Sequence, residues 1–181
     1  VVGKKGSVHS FEPTPSTFVV LKKNSDTEKN IFINNNALWH LDTEIELNDY
    51  GLSFSAFNSV NESRNKNNDE ELRKKKIKVK TLRLDDYVKK HCIIPKLIKI
   101  DAESAEYQVL QGMHNILSKI KPLLCIELGD MGIEGVILSK KIVEFLMIKY
   151  SYKPYEIKKG ILTPHKLRET YKYTNLFFKI N

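Results

Sequence analysis

Leu97-Ile98-Lys99-Ile100-Asp101-Ala102-Glu103-Ser104-Ala105-Glu106 decides the fold of this chain. An apolar strand runs into the carboxylates Asp101, Glu103 and Glu106, and Tyr107, Val109, Leu110 and Met113 follow at helical spacing. Open α/β sheets are built this way, and their ligands bind just beyond the carboxyl ends of parallel strands. A second stretch of the same design, Val8-His9-Ser10-Phe11-Glu12-Pro13, lies near the N-terminus. Two acid-tipped strand ends on one chain point to a nucleotide-type cofactor site rather than a plain scaffold.

Outward from residues 97–101 the pattern is a regular βαβα series. A helix is expected over about 105–117, a strand over 123–127 and a helix over 137–150, with Ile142, Val143, Leu146 and Met147 keeping the helical period. Strands at 152–157 and 176–180, with a turn at Lys158-Lys159-Gly160, give an antiparallel finish to a mostly parallel sheet. Upstream, residues 8–11 and 31–33 read as short strands. Ser16 reads as the cap of the helix between them. Ile45 and Leu47, then Leu52, Phe54 and Ala56, alternate around Asn48-Asp49-Tyr50-Gly51 as an antiparallel hairpin. Residues 58–76 are almost wholly Asn, Ser, Lys, Glu and Arg and read as a mobile loop. A strand at 77–82 and a short helix capped by Asp85 complete the series. Residues 43–76 are thus an insertion in a single domain over 1–181.

The length suits one domain with a sizeable core. No apolar run approaches the roughly 20 residues that span a bilayer. The start, Val1-Val2-Gly3-Lys4-Lys5, is not a signal peptide, and it lacks an initiator Met, so the reading is of a chain truncated at its N-terminus. Cys92 and Cys125 lack metal-ligand spacing and indicate a reducing, cytoplasmic setting. The net charge of +8 raises the question of nucleic acid. Among the 30 basic residues only Arg64, Arg73, Arg83 and Arg168 are Arg, the better reader of phosphate and guanine. The densest basic run, 73–76, adjoins Asp69-Glu70-Glu71. A solvated Lys-rich surface accounts for the charge, and nucleic acid is not an expected partner.

Four pieces in order carry a family resemblance: Gly6-x-Val8-x-x-Phe11-Glu12-Pro13-x-Pro15; Asn36-Ala37-Leu38; Thr81-Leu82 with Leu84-Asp85-Asp86; and Ile98-Lys99-Ile100-Asp101-x-Glu103-x-Ala105-Glu106-x-x-Val109-Leu110-x-Gly112. Together they resemble the FkbM-type S-adenosylmethionine-dependent methyltransferases. The resemblance implies a three-layer, Rossmann-like α/β fold of the class I methyltransferase type. It also implies S-adenosylmethionine as cofactor, and methyl transfer to a hydroxyl of a small molecule or carbohydrate. Two departures stand out. The family's Gly-rich loop after its first strand has no counterpart before Val8, which would leave the sheet without a central strand between those at Val8 and Leu97. The Gly of the family's Asp-x-Glu-Gly-x-Glu element is Ser104 here.

Each candidate residue carries two readings. Glu12 would accept the ribose hydroxyls of the cofactor, with Pro13 beside it, or is a surface acid at a loop start. Asn36 and Ala37 would meet the adenine side, as the resemblance implies, or form an ordinary Asn-rich turn. Trp39 would stack on adenine or simply pack. Asp101 and Glu103 would serve the reacting end, taking the acceptor's proton or facing the cofactor's amino group; alternatively Glu103 caps the helix. Such a proton transfer is worth roughly 10²–10⁴-fold, and alignment of the reactants up to roughly 7–11 kcal/mol. Glu106 would complete an acidic rim or is a solvated helix acid, and Glu127 would line the acceptor pocket. Asp101, Glu103 and Glu127 are able to hold a hard cation, but no metal is expected. The rival reading is a degenerate, non-catalytic methyltransferase-like binding module.

Overall fold

The computed structural model describes residues 2–3, 5–61, 74–130 and 132–180. β1 (Val8–Phe11) and β2 (Ile31–Asn34) pair in parallel, from Val8 opposite Ile31 to Phe11 opposite Asn34. Between them runs α1 (Pro15–Ser25). Pro15 opens it, where a missing N–H removes no helical bond, and Lys22 and Lys23 oppose the dipole in the last turn. The cap residue is Thr14 rather than Ser16, because the proline's fixed φ already belongs to the helix.

The expected hairpin does not form. β4 (Glu44–Asp49) exists, but its antiparallel partner is β5 (Lys75–Leu82), while Leu52–Phe57 is a 3₁₀ helix. Asp49 Oδ1 accepts the Gly51 N–H at 2.8 Å and Gly51 takes φ +77°, so the chain turns into the 3₁₀ helix first and meets β4 again only at Ser59, opposite Asn48. β3 (Ala37–Leu38) adds to the other edge of β5 in parallel, giving the order β3-β5-β4. Of the loop read at 58–76, residues 62–73 lie outside the described residues. Asn58 to Asn61 are held by hydrogen bonds, and Lys75 and Lys76 belong to β5.

α2 (Leu84–Lys90) leads to β6 (Leu97–Ile100), which pairs in parallel with β7 (Leu123–Leu128). The helix expected over 105–117 is split. α3 (Glu106–Gln111) stops at Gly112, and a π turn occupies Ile116–Ile120. The break has a local cause. A Cβ at residue 112 would run into the Trp39 carbonyl, so glycine lets the β3 strand end and α3 approach. Asp85 then captures the N–H groups of Asn115 and Ile116, at 2.8 and 3.0 Å, and starts the next turn. Its carboxylate therefore caps a neighbouring segment and not its own helix, whose cap residue is Arg83.

After α4 (Ser139–Tyr150) come β8 (Lys153–Lys158), β9 (Ile161–Pro164) and β10 (Thr174–Lys179). They complete a five-stranded sheet ordered β6-β7-β10-β8-β9. The antiparallel finish is as expected, with β9 as an added edge strand. The sheet is not one mostly parallel structure: the described residues form three sheets, and β7-β10, β10-β8 and β8-β9 are all antiparallel. Among the described residues β1 pairs only with β2 and β6 only with β7, so the two parallel pairs stay in separate sheets.

The main core lies between α2, α3, α4 and the five-stranded sheet, where Leu110, Met113, Leu124, Ile126, Leu146 and Phe178 are wholly buried. Tyr87 ties β1 and β2 to it. Its ring meets Phe11 edge-on at 4.9 Å, and its hydroxyl bonds His9 Nδ1 at 2.9 Å and Asn34 Nδ2 at 3.3 Å. A smaller core of Ala37, Leu47 and Val79 holds the three-stranded sheet. No helix among the described residues is long and apolar enough to cross a membrane.

Candidate functional site

β6 ends at Ile100, and the next residue, Asp101, projects into solvent with Lys99 Nζ 2.8 Å from its Oδ2. Burial works against the Lys99 charge, but the hydrogen bond and charge of Asp101 outweigh it and raise the lysine's pKa. Ile100 lies opposite Ile126 in the β6–β7 register, so Asp101 and Glu127 are neighbours on one face. Burial raises the Glu127 pKa. The negative charge of Asp101 and a hydrogen bond between the two carboxyl groups add to it, against Lys99 and Asn175.

Glu103 joins this pair. Oxygens of Asp101, Glu103 and Glu127, the trio that the sequence singled out as able to hold a cation, all lie within 4.8 Å of one another. The loop achieves this through unusual backbone geometry: Glu103 has φ +45° and Ser104 φ +74°. Left-handed conformation costs an L residue about 1–2 kcal/mol. Glu106 supplies the compensation. Its Oε1 accepts the N–H groups of Ala102 at 3.0 Å and Ser104 at 3.3 Å. It is buried, not the solvated acid read from the sequence, and burial raises its pKa against the backbone bonds.

At the β1 end, Glu12 is half-buried and its Oε1 accepts the Thr14 N–H at 2.7 Å. Burial raises its pKa, opposed by bonds from Thr14 and reinforced by Asp49. Asn35 Nδ2 donates to the carbonyls of Glu12 and Pro13, fixing the turn. Asn36 Nδ2 reaches the Lys80 carbonyl at 3.4 Å, and Ala37 is buried in the smaller core. Trp39, half-exposed, donates its backbone N–H to Leu82.

Sequence reasoning passed over Asn58 and Asn61, which stand at the start of the polar run. Asn58 Nδ2 donates to Thr14 Oγ1 at 3.2 Å, and Asn61 Nδ2 to the Ser104 carbonyl at 3.5 Å. One short segment thus touches both acid-tipped strand ends. Only tertiary contact distinguishes these asparagines from their neighbours, so composition held no signal for them.

An α/β domain with carboxylates gathered at the ends of its parallel strands is the class this geometry defines. Residues 1–153 match the model of the methyltransferase FkbM domain, and the chain belongs to that family. In fold it resembles a crystal structure of the methyltransferase FkbM from Methylobacillus flagellatus KT, with a TM-score of 0.53 and 16% identity over 95% of this chain. The chain spans 36% of that protein's length. No functionally curated protein matches it.

Proposed function

We propose that this domain transfers a methyl group from S-adenosylmethionine to a hydroxyl oxygen of a small molecule or carbohydrate in the cytoplasm. In this reading β2-β1 and β6-β7-β10-β8 are the two parts of one three-layer, Rossmann-like arrangement. Membership of the FkbM family supports methyl transfer in general. The observation that carries the finer reading is the gathering of Asp101, Glu103 and Glu127 at the ends of β6 and β7, tied through Asn58 and Asn61 to the Glu12 end of β1. Two free cysteines, Cys92 and Cys125, accord with the reducing compartment.

The bound cofactor would supply an electrophilic sulfonium methyl. The residues at β1 fit its ribose: a carboxylate has about four lone-pair sites, and Thr14 leaves Glu12 acceptor capacity for hydroxyl groups. Pro13 and the turn pinned by Asn35 shape that wall, with Asn36 and Ala37 on the adenine side. Ala37 contributes backbone there, since its methyl is spent on the smaller core. Asp101 and Glu103 orient the acceptor hydroxyl and take its proton. Glu127, with its raised pKa, is poised nearer neutrality than an ordinary carboxylate and assists them.

Calorimetric titration of the full-length protein with S-adenosylhomocysteine tests the reading. Saturable binding is expected, and Glu12→Ala should weaken it about tenfold or more, one lost charge-assisted contact, while turnover at saturating cofactor changes less. An unchanged melting temperature at millimolar ligand would count against the enzyme reading and favour the non-catalytic binding module.

A further inference from the structure

We infer that Glu106 is a positioning residue, whose buried carboxylate holds Glu103 beside Asp101 and Glu127. Its consequence for turnover rests on the methyl-transfer reading; its hold on the loop does not.

Glu106 is the first residue of α3 and only 7% exposed. A carboxylate in that position needs hydrogen-bond donors, and it finds them in Ala102 and Ser104. These two donors flank Glu103 in the chain. One oxygen therefore closes the backbone around Glu103, and both residues with positive φ, Glu103 and Ser104, lie inside the closed loop. Ser104 has a Cβ that resists this conformation, so the loop stays closed only while the acceptor is present. Asn61 grips the Ser104 carbonyl from the other side. Remove the acceptor, and two N–H groups lose their partner while Ser104 is free to relax to negative φ. Glu103 would then turn away from the other two acids. The device is local, made from bonds two and four residues back along the chain.

A mutant cycle between Glu106 and Ser104 tests this in the full-length protein. Glu106→Ala should lower the melting temperature by about 4–8 °C. It should also cut turnover about tenfold or more with a change in cofactor KM below about threefold. Glu106→Gln retains an amide oxygen and should stay within about threefold of the parent. Ser104→Gly supplies the left-handed conformation without a steric penalty. Added to Glu106→Ala, it should restore at least about half of the lost melting temperature and turnover, well beyond its effect in the parent. Equal effects of Ser104→Gly in both backgrounds would overturn the proposal, since Glu106 would then serve only the packing of α3. If Glu106→Ala alone fails to fold, the Glu106→Ala/Ser104→Gly double variant, read by melting temperature and protease resistance at residues 102–105, decides the matter: a folded double variant supports the hold and an unfolded one overturns it. Absence of cofactor binding by the parent would remove the methyl-transfer reading, while the melting-temperature cycle still decides whether Glu106 holds the loop.

Discussion

Asp85, on α2, accepts the backbone N–H of Ile116 at 3.0 Å across 31 residues of sequence, and its second oxygen takes Asn115 at 2.8 Å. A side chain on one helix thereby supplies the N-terminal cap of another segment, and both are locked to the core through Leu84 and Ile116. Asp85→Ala leaves two backbone donors unmet in a buried setting and should destabilise the domain by about 2–4 kcal/mol. Asp85→Asn keeps one acceptor oxygen and should cost less, about 1–2 kcal/mol. Urea denaturation of the two variants measures both, and equal midpoints for Asp85→Ala and the parent would remove the cap.

Gly112 is the second joint in the same region. Its φ of −79° is one that any residue adopts, so the demand for glycine is steric and not conformational. A methyl group there meets the Trp39 carbonyl, backbone that cannot swing aside as a side chain would. Gly112→Ala should therefore cost at the upper end of the usual overpacking range of about 1–3 kcal/mol. It should also disturb Trp39 fluorescence, because β3 must move to admit the methyl. An alanine variant with the parent's melting temperature and emission would show that the two backbones do not meet.

The two acid-tipped strand ends were legible in the sequence because each couples a short apolar strand to an acid and then to a helix-forming stretch. The strand at Leu97 and its partner at Leu123 came out within a residue or two on that signal alone. What could not be read was pairing between distant segments. Ile45 and Leu47 alternate as any half-buried strand does, and nothing local says that their partners are Val79 and Ile77 and not Leu52 and Phe54. Glu106 failed for a different reason. Its spacing from Glu103 and Tyr107 looks like that of a solvated helix acid. Burial became visible only once the loop before it was seen to turn back through positive φ. Asn58 and Asn61 lie in a polar run whose composition hides the two contacts that matter.

Asp101 and Glu127 face each other across β6 and β7, and Lys99 sits beside them. Burial and the Asp101 charge raise the Glu127 pKa, and Lys99 opposes this. Asp101→Asn should therefore bring Glu127 down toward the ordinary carboxylate range, and Lys99→Ala should push it higher. Carbon-detected NMR titration of the Glu127 carboxyl reads both directly. The sign for stability follows. A carboxyl raised in the folded state contributes most below its unfolded pKa, and that contribution is lost as pH rises through the folded value. Movement of Glu127 in the same direction in both variants would dissolve the pair.

His165 makes the opposite kind of contribution. Its side chain is wholly buried, with Nε2 3.0 Å from the Tyr171 hydroxyl and Nδ1 3.5 Å from Glu156 Oε1, an electrostatic contact too poorly formed to count as a hydrogen bond. The Arg168 N–H donates to the same hydroxyl at 3.2 Å. Burial lowers the His165 pKa first, with Arg168 and Lys158 adding to it and Glu156 opposing. A depressed histidine contributes stability above its unfolded pKa of about 6.5, and that contribution is lost as pH falls through the folded value. Melting temperature should thus fall as pH drops below about 6.5, above the range in which Glu156, also held low by its cationic neighbours, takes up a proton. His9 is lowered as well, by burial and by His91, and adds to the same slope. His165→Gln keeps a polar side chain beside Tyr171 but cannot titrate. It should lower stability at the upper pH and flatten the decline. Differential scanning calorimetry at a series of pH values checks this, and a slope in His165→Gln as steep as the parent's would assign the acid sensitivity elsewhere.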